Sequence, residues 1–186
     1  MPMQHLIRSL TPADAPAYRA LMLDAYTRHP DAFTSSAAER AALPLAWWEA
    51  RLSDDPAALE RVLGAFQAAP SGAALAGVAG LTFEAREKTR HKATLFGMVV
   101  PEPLRRAGIG RALVEAVLAE ARLRPGVRLV QLTVTEGNRA AQGLYERCGF
   151  VAFGTEPLAV AVGDGYVAKV HLWRDLQTRT GRALPD

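Results

Sequence analysis

The sequence predicts a mixed α/β protein, built on a twisted and mostly antiparallel sheet of about seven strands flanked by about four helices. Short apolar runs rich in β-branched residues and bounded by turn residues indicate the strands. Segments with helical spacing lie between them in the order βααβββαβαββ, with one βαβ unit in the middle. A length of 186 residues predicts one domain over 1–186, because such a chain can bury a core without disulfides or metals.

The first third of the chain is predicted to hold one strand and two helices. Residues 5–10 form the first strand. Asp14 is expected to cap the next helix, because its carboxylate can accept a free backbone N–H of the first turn. The apolar positions of this helix run from Tyr18 to Ala25, and a loop follows at 30–36. A second helix is predicted over 45–52.

The middle of the chain changes from helices to strands. Residues 61–67 and 74–83 are predicted to form a hairpin, and 94–100 forms a further strand. Strong helical periodicity then covers 108–122, and alternation predicts a strand over 127–135.

The last part is predicted to begin with a short helix over 138–148, closed by Gly149 in the left-handed cap conformation. Residues 150–153 and 166–173 are the final predicted strands, and the turn residues at 154–157 indicate a loop between them.

Composition excludes several classes of function. No apolar run reaches the ~18–20 residues that cross a membrane. The formal charge is only +3, and the basic residues do not cluster with aromatic ones, so neither a membrane nor a nucleic acid is expected as a partner. The four histidines show no metal-ligand spacing, so no metal is predicted. The single cysteine, Cys148, and a start without a secretory pattern predict a cytoplasmic protein.

The most informative segment is a predicted strand–turn–helix whose turn reads Arg105-x-x-Gly108-x-Gly110. Glycine removes the Cβ where the backbone must approach a ligand closely. The first N–H groups of a helix are unpaired and lie at the positive end of its dipole, which suits a pyrophosphate. Arg105 and Arg106 add positive charge.

Two rival structures could produce the same segment. A lone Gly-x-Gly could simply form a tight turn. A Rossmann dinucleotide loop is disfavoured, because Leu113 stands where that pattern needs a third small residue and a segment with two prolines separates Val100 from Arg105.

A second pattern lies on the predicted helix 138–148. Asn138, Ala141 and Tyr145 have the spacing i, i+3, i+7, so they are expected to share one helix face. This face is partly polar, which is unusual for core. Tyr145 could instead be a buried packing residue whose hydroxyl is hydrogen-bonded.

The first pattern resembles motif A of the GNAT (GCN5-related) N-acetyltransferase superfamily, Gln/Arg-x-x-Gly-x-Gly/Ala. The second is similar to that family's "N…A…Y…GF" segment, which Gly149 and Phe150 complete. The resemblance covers most of the chain and implies the GNAT fold. It also implies an acyltransferase that moves the acetyl group of acetyl-CoA to a primary amine of a small molecule or peptide, by direct attack in a ternary complex.

The resemblance further implies roles for individual residues. The strand at 98–100 would pair with the pantetheine of acetyl-CoA, a backbone N–H near Met98 would stabilise the oxyanion, and Tyr145 would protonate the leaving thiolate as general acid. The implied cosubstrate-binding residues are Met98, Val99, Val100, Arg105, Arg106, Ala107, Gly108, Ile109, Gly110, Arg111, Asn138, Ala141 and Tyr145.

The base and the acceptor are left open. A thioester needs a neutral amine as its attacker, and many family members carry a glutamate on the strand that here has no carboxylate. Glu84, His91 or Glu136 is the candidate base. Phe33, Ser35 and Trp47 are candidates to bind the acceptor, and these residue types alone do not identify it.

Three further possibilities remain open from the sequence. The chain could be a catalytically silent acyl-CoA-binding sensor, since the strand lacks the glutamate. It could use a longer acyl-CoA. It could form a homodimer through its last strands.

Overall fold

The computed structural model describes residues 5–69 and 72–177. Its strands form one seven-stranded sheet in the order β1-β2-β3-β4-β5-β7-β6, antiparallel throughout except for the parallel pair β4–β5. The strands are β1 Leu6–Ser9, β2 Glu60–Ala69, β3 Gly72–Phe83, β4 Lys92–Val99, β5 Leu129–Thr135, β6 Val151–Val162 and β7 Gly165–Asp175. The helices are α1 Ala15–Arg28, α2 Ala37–Ala41, α3 Leu45–Ala50, α4 Ile109–Leu123 and α5 Arg139–Arg147. The predicted fold class is therefore confirmed.

Helices cover both faces of the sheet. On one face α4 packs through its apolar stripe, and α5 contributes Tyr145 to the same core cluster. On the other face α1 and α3 pack through Tyr18, Met22 and Trp48. Neighbouring strand residues alternate between the two clusters, as Leu63 and Val62 do, because successive side chains of a strand point to opposite faces.

Helix α2 is a fifth helix that the periodicity did not predict, since its five residues are too few to show a stripe. A capping box holds its start: the Ser36 hydroxyl accepts from the Glu39 N–H at 3.1 Å, and the Glu39 carboxylate accepts from the Ser36 N–H at 2.7 Å. The Ser-x-x-Glu spacing is a readable signal for it.

Two local predictions were wrong. Asp14 makes no cap bond to α1; its carboxylate accepts from the Arg8 guanidinium at 2.7 and 2.8 Å and from the Thr11 N–H at 2.8 Å, because it closes the short 3-10 turn before the helix. The predicted loop 154–157 lies inside β6. An edge strand tolerates Pro157, and two register irregularities absorb the turn residues.

Some expectations fall outside the described residues. The turn predicted between β2 and β3 includes Pro70 and Ser71, and the chain start includes 1–4. Within 5–69 and 72–177, no helix has the length and apolar character needed to cross a membrane.

Candidate active site

A gap opens between the two parallel strands at the centre of the sheet. β4 pairs with β5 only at three positions, Lys92–Thr94 against Leu129–Gln131. The last of these is reinforced by a 3.3 Å hydrogen bond from the Gln131 amide to the Thr94 hydroxyl. Beyond it, the β5-facing edge of β4 has no strand partner among the described residues, so its backbone groups are available to an extended ligand.

A β-bulge accompanies this gap. The register between β3 and β4 shifts by one residue between Val78 and Gly80. Gly97 lies at the shift with a φ of +55°, in the left-handed region that favours glycine. The bulge reverses the side-chain alternation, so Phe96 lines a cavity on the α1 side whereas Met98 packs against the cluster that contains α4 and α5.

The start of α4 forms the second part of the site. Gly108 is its N-cap residue with a φ of +81°, and Arg106 also has a positive φ of 68°. None of the side chains in 5–69 and 72–177 caps this 15-residue helix, so within the described part of the chain the N–H groups of its first turn are free to bind an anion. A Cβ on Gly108 would meet nothing within 4 Å, so the position beside this residue is open, while the His5 ring lies 3.3 Å from the neighbouring Ala107 carbonyl.

Gly110 brings the helix start against the strand gap. A Cβ at this position would lie 3.2 Å from Met98 Cε and 3.2 Å from Leu144 Cδ2. A larger residue would require these two side-chain ends to shift, so glycine favours the close approach that joins the beginning of α4, the end of β4 and the middle of α5 at one place.

The three arginines of the motif lie in different surroundings. Arg105 donates to the Val100 carbonyl at 3.1 Å, and its Nη2 lies 3.1 Å from His29 Nε2. Arg111 is paired with Glu115 at 2.8 Å. Arg106 is exposed and has no carboxylate partner among the described residues, so Arg106 is the freest of these charges for an anion, while Arg105 steadies the strand end.

Tyr145 is buried at the gap. Its hydroxyl lies 3.5 Å from Met98 Sδ, and its ring packs edge-on against Phe150 at 5.8 Å. Burial raises the pKa of Tyr145 above that of an ordinary phenol, so the hydroxyl stays protonated near neutral pH.

Asn138 and Ala141 take different places from the shared face that their spacing suggested. Asn138 lies at the N-cap of α5, where its side-chain oxygen accepts from the Ala141 N–H at 3.1 Å. Ala141 is half-buried against the core. Asn138 therefore fixes the start of the helix that carries Tyr145, because asparagine is a preferred N-cap residue.

The candidate bases lie at two different ends of the sheet. Glu84 and His91 flank the amino end of β4, about 20 Å along the strand from Met98, at ~3.3 Å per residue. Glu136 directly follows β5, at the end where the gap is open, and its N–H bonds the Ala168 carbonyl at 2.9 Å. The structure does not bring Glu84 or His91 together with Tyr145.

A cavity of about 130 Å³ lies beside the bulge on the α1 side. Its lining residues are Tyr18, Met22, Tyr26, Phe33, Thr34, Ser35, Arg40, Trp47, Trp48, Arg51, Phe96 and Gly97. The three residues proposed from the sequence for the acceptor, Phe33, Ser35 and Trp47, therefore line one space that borders β4.

Two arginines that the sequence did not single out face this cavity. The Arg40 and Arg51 guanidiniums each lie 4.7 Å from the Trp47 ring centroid. Arg40 donates to the Ser35 hydroxyl at 2.7 Å, and Arg51 is paired with Glu60 at 2.6 Å. Burial raises the pKa of Tyr18, also in the wall, to about 12.

A buried lysine holds the loop that supplies Phe33 and Ser35. The Lys169 ammonium donates to the carbonyls of Asp31 and Ala32 at 3.3 and 3.1 Å, and to the Thr135 hydroxyl at 2.7 Å. The Thr135 hydroxyl in turn donates to the Asp31 carbonyl at 2.7 Å. Burial lowers the pKa of Lys169. The only sequence signal was a lysine inside an apolar strand.

The described residues include no cluster of three or more His, Cys, Asp or Glu side chains that could hold a metal ion. Cys148 is buried, and burial raises the pKa of its thiol, as expected for a core residue rather than a nucleophile.

The family model for the acetyltransferase (GNAT) family matches residues 18–150. Among curated proteins, the [ribosomal protein bS18]-alanine N-acetyltransferase of Escherichia coli strain K12 is 44% identical over 59 residues, which cover 32% of this chain. The match spans only 39% of that relative's length.

Solved structures extend the similarity over nearly the whole chain. A GNAT-family acetyltransferase from Streptococcus pneumoniae is 25% identical with a TM-score of 0.81, covering 92% of this chain and 99% of its own. The ribosomal-protein-alanine N-acetyltransferase of Brucella melitensis is 27% identical with a TM-score of 0.71, covering 91% and 99%. The yncA protein of Salmonella typhimurium, solved with its cofactor acetyl-CoA, shares the fold at 22% identity and a TM-score of 0.73, covering 98% of each chain.

Proposed function

We propose that this chain, which belongs to the acetyltransferase (GNAT) family, transfers the acetyl group of acetyl-CoA to a primary amine of a small molecule or peptide. The observation that carries the proposal is the meeting of three features at one place. The unpaired edge of β4, the uncapped start of α4 and the buried hydroxyl of Tyr145 converge around Met98 and Gly110.

The residues present fit acetyl-CoA at two points. The first-turn N–H groups of α4, with Gly108 and Arg106, would hold the pyrophosphate, because no described side chain caps the helix and the Cβ position of Gly108 is open. The unpaired edge of β4 around Met98 and Val99 would hold the amide-containing pantetheine as an added strand. When bound, acetyl-CoA supplies an activated acetyl thioester.

Tyr145 would stabilise the leaving thiolate. Its neighbour in the structure, the Met98 thioether, is only a weak hydrogen-bond acceptor, so the phenolic proton is available to a better one. The raised pKa keeps that proton on the phenol until negative charge develops on sulfur. A backbone N–H of the unpaired edge near Met98 would stabilise the oxyanion.

The amine would enter from the cavity that borders Phe96 and Gly97. Its proton would pass to a base at the carboxyl end of β5, where the sheet is open. Among the three candidate bases, Glu136 is the one that we propose, because it follows β5 at this end. The proton would reach it through water.

The activities for which two relatives are named support an amine acceptor. The E. coli and B. melitensis proteins are both alanine N-acetyltransferases acting on ribosomal protein. We propose for this chain only the shared chemistry, N-acetylation. We also propose that residues 1–186 form one domain that acts in the cytoplasm, because the one cysteine leaves no intramolecular disulfide to be formed.

Calorimetric titration with acetyl-CoA and CoA, followed by thiol release with a panel of amines, tests the proposal. Binding together with amine-dependent thiol release is the expected result. Binding without release from any amine would favour the sensor alternative. No binding would contradict the proposed function altogether.

A further inference from the structure

We propose that the cavity beside β4 accepts a small amine that also carries a carboxylate, such as an α-amino acid, and that Arg40 is the residue that binds this carboxylate. The inference rests on the proposed acetyl transfer and specifies its acceptor. It is carried by the charges, the unused hydrogen-bond donors and the aromatic walls of the cavity.

The cavity holds positive charge without a matching negative one. Arg40 and Arg51 both line it, and none of the described residues that line it carries a carboxylate. Glu60, outside the lining, pairs with Arg51 at 2.6 Å and offsets that charge. Arg40 makes no direct ion pair among the described residues; its guanidinium hydrogen-bonds the neutral hydroxyls of Ser35 and Tyr26, and the neighbouring Glu39 carboxylate interacts with it electrostatically without direct contact.

Hydrogen-bond donors in the cavity wall also lack acceptors. The Nε of Arg40 is buried without a partner in the described structure. The indole N–H of Trp48, a side chain only 1% exposed, is likewise without one. An indole and a guanidinium can only donate, and a buried donor left unpaired is unfavourable. Both donors are closed to solvent, so they show that this wall is short of acceptors, and the ligand's carboxylate would meet the remaining N–H groups of the Arg40 guanidinium.

Stacking fixes the position of the Arg40 guanidinium before any ligand arrives. It lies over the Trp47 ring at 4.7 Å, and Arg51 lies over the same ring at 4.7 Å. A guanidinium held in this way loses little side-chain freedom when it binds a carboxylate with two parallel hydrogen bonds. Tyr26 and Phe33, in contact edge-on at 4.8 Å, offer an apolar surface for the substrate's side chain.

The unpaired charge of Arg40 also discriminates against other classes of acceptor. A lysine side chain or a polyamine would bring further positive charge close to Arg40. A peptide N-terminus is followed by a neutral amide, which would leave the charge of the Arg40 guanidinium unpaired. A cavity of about 130 Å³ also favours a small molecule.

The test compares matched acceptors that differ only in the carboxylate. The kcat/KM of acetyl transfer is measured for leucine, leucinamide and isopentylamine, and for phenylalanine, phenylalaninamide and phenethylamine. We expect the amino acids to be preferred by roughly tenfold to a hundredfold, the range of a charge-assisted hydrogen bond. Arg40→Gln should remove most of this preference, while the rates with the amides change by less than about threefold.

Arg19→Gln is the matched control. Arg19 lies near α2 and donates to the Ala41 carbonyl at 3.0 Å, but it does not line the cavity. The substitution removes the same charge and should leave the preference intact. If Arg40→Gln fails to fold, Arg40→Lys keeps the charge but loses the planar fork, and an intermediate preference is expected.

A binding measurement separates this inference from the proposed function. Trp47 and Trp48 line the cavity, so amino-acid binding to the CoA-loaded protein should quench tryptophan fluorescence. Equal rates for acids, amides and amines in the parent protein would overturn the carboxylate inference and leave acetyl transfer standing. If no amine is acetylated, the proposed function fails. The carboxylate site would still be supported in that case if leucine or phenylalanine quenches the fluorescence saturably and Arg40→Gln abolishes the quenching. Absence of quenching by both amino acids, with no transfer to them, would overturn it.

Discussion

The hydroxyl of Tyr145 lies 3.5 Å from the sulfur of Met98, so a helix and a strand that are far apart in sequence meet where the sheet opens. Met98 directly follows the glycine of the β-bulge, and Tyr145 is 8% exposed. A phenol that donates only to a thioether keeps its proton for a stronger acceptor. The arrangement therefore links the proposed general acid to the strand edge proposed for pantetheine.

Tyr145→Phe should reduce kcat by roughly a hundredfold, the scale of general-acid catalysis, because only the phenolic hydrogen bond is removed. The affinity for acetyl-CoA should stay within about threefold. Fixed-time assays of thiol release measure kcat, and calorimetric titration measures the affinity for acetyl-CoA. Tyr166→Phe, at an exposed position on β7, is the matched control and should behave like the parent. Full activity of Tyr145→Phe would remove the general-acid role.

Gly108→Asp should weaken acetyl-CoA binding by roughly a hundredfold, since it places a carboxylate before the helix start proposed for the pyrophosphate. Gly126→Asp is the matched control, because it introduces a carboxylate and the same kind of backbone strain away from the proposed binding site. Gly126 also has a positive φ, +84°, and open space around its Cβ, but it follows the other end of α4. Both variants should lose similar stability, and only Gly108→Asp should lose cosubstrate affinity. Equal affinity in the two would exclude this helix start as the binding site.

Lys169→Met should raise the KM for the acceptor by about tenfold without changing acetyl-CoA affinity, because the loop before Phe33 loses its ties to β7. The partly buried Ala32 carbonyl would lose its lysine donor, while the Asp31 carbonyl would keep the Thr135 hydroxyl, so the free energy of unfolding should fall by about 1 kcal/mol. Lys88→Met, an exposed loop substitution, should change neither. A normal KM in Lys169→Met would show that the loop holds its position without the lysine.

Asp14→Asn should make the free energy of unfolding depend less on pH in the acidic range. Hydrogen bonding to Arg8 holds the pKa of Asp14 at about 2, below its ordinary 3.8. A lowered carboxylate pKa stabilises the fold above pH 3.8, and this contribution disappears as the pH falls through about 2. Arg8 is partly exposed, so we expect a loss of only about 1 kcal/mol near neutral pH.

Urea unfolding near neutral pH and at about pH 2 checks the Asp14 prediction. The parent and Asp14→Asn should differ at neutral pH and converge in acid. Arg8→Gln should reproduce the same loss, and the double variant should add little to it, because the two residues share one interaction. An equal difference at both pH values would show that the ion pair is not its cause.

Short-range patterns in the sequence predicted most of the fold. Helical spacing located α1, α3, α4 and α5, and alternation located β2, β3 and β5, because these periods follow from local backbone geometry. The predictions failed where a partner strand or a turn decides the structure. Pro157 signals a turn, but its place at the sheet edge allows β6 to continue past it.

The sequence by itself was enough to identify the glycines at 108 and 110 at the start of a helix and the tyrosine on the next helix, because each pattern involves residues close together along the chain. The tertiary structure alone decided where β4 stops pairing with β5, and which residues surround the cavity. Arg40 and Arg51 lie on α2 and just after α3, and no period or spacing relates them to Phe96 on β4. The charge of a cavity depends on which side chains long-range packing brings together and which of them find partners, and only the folded chain settles that.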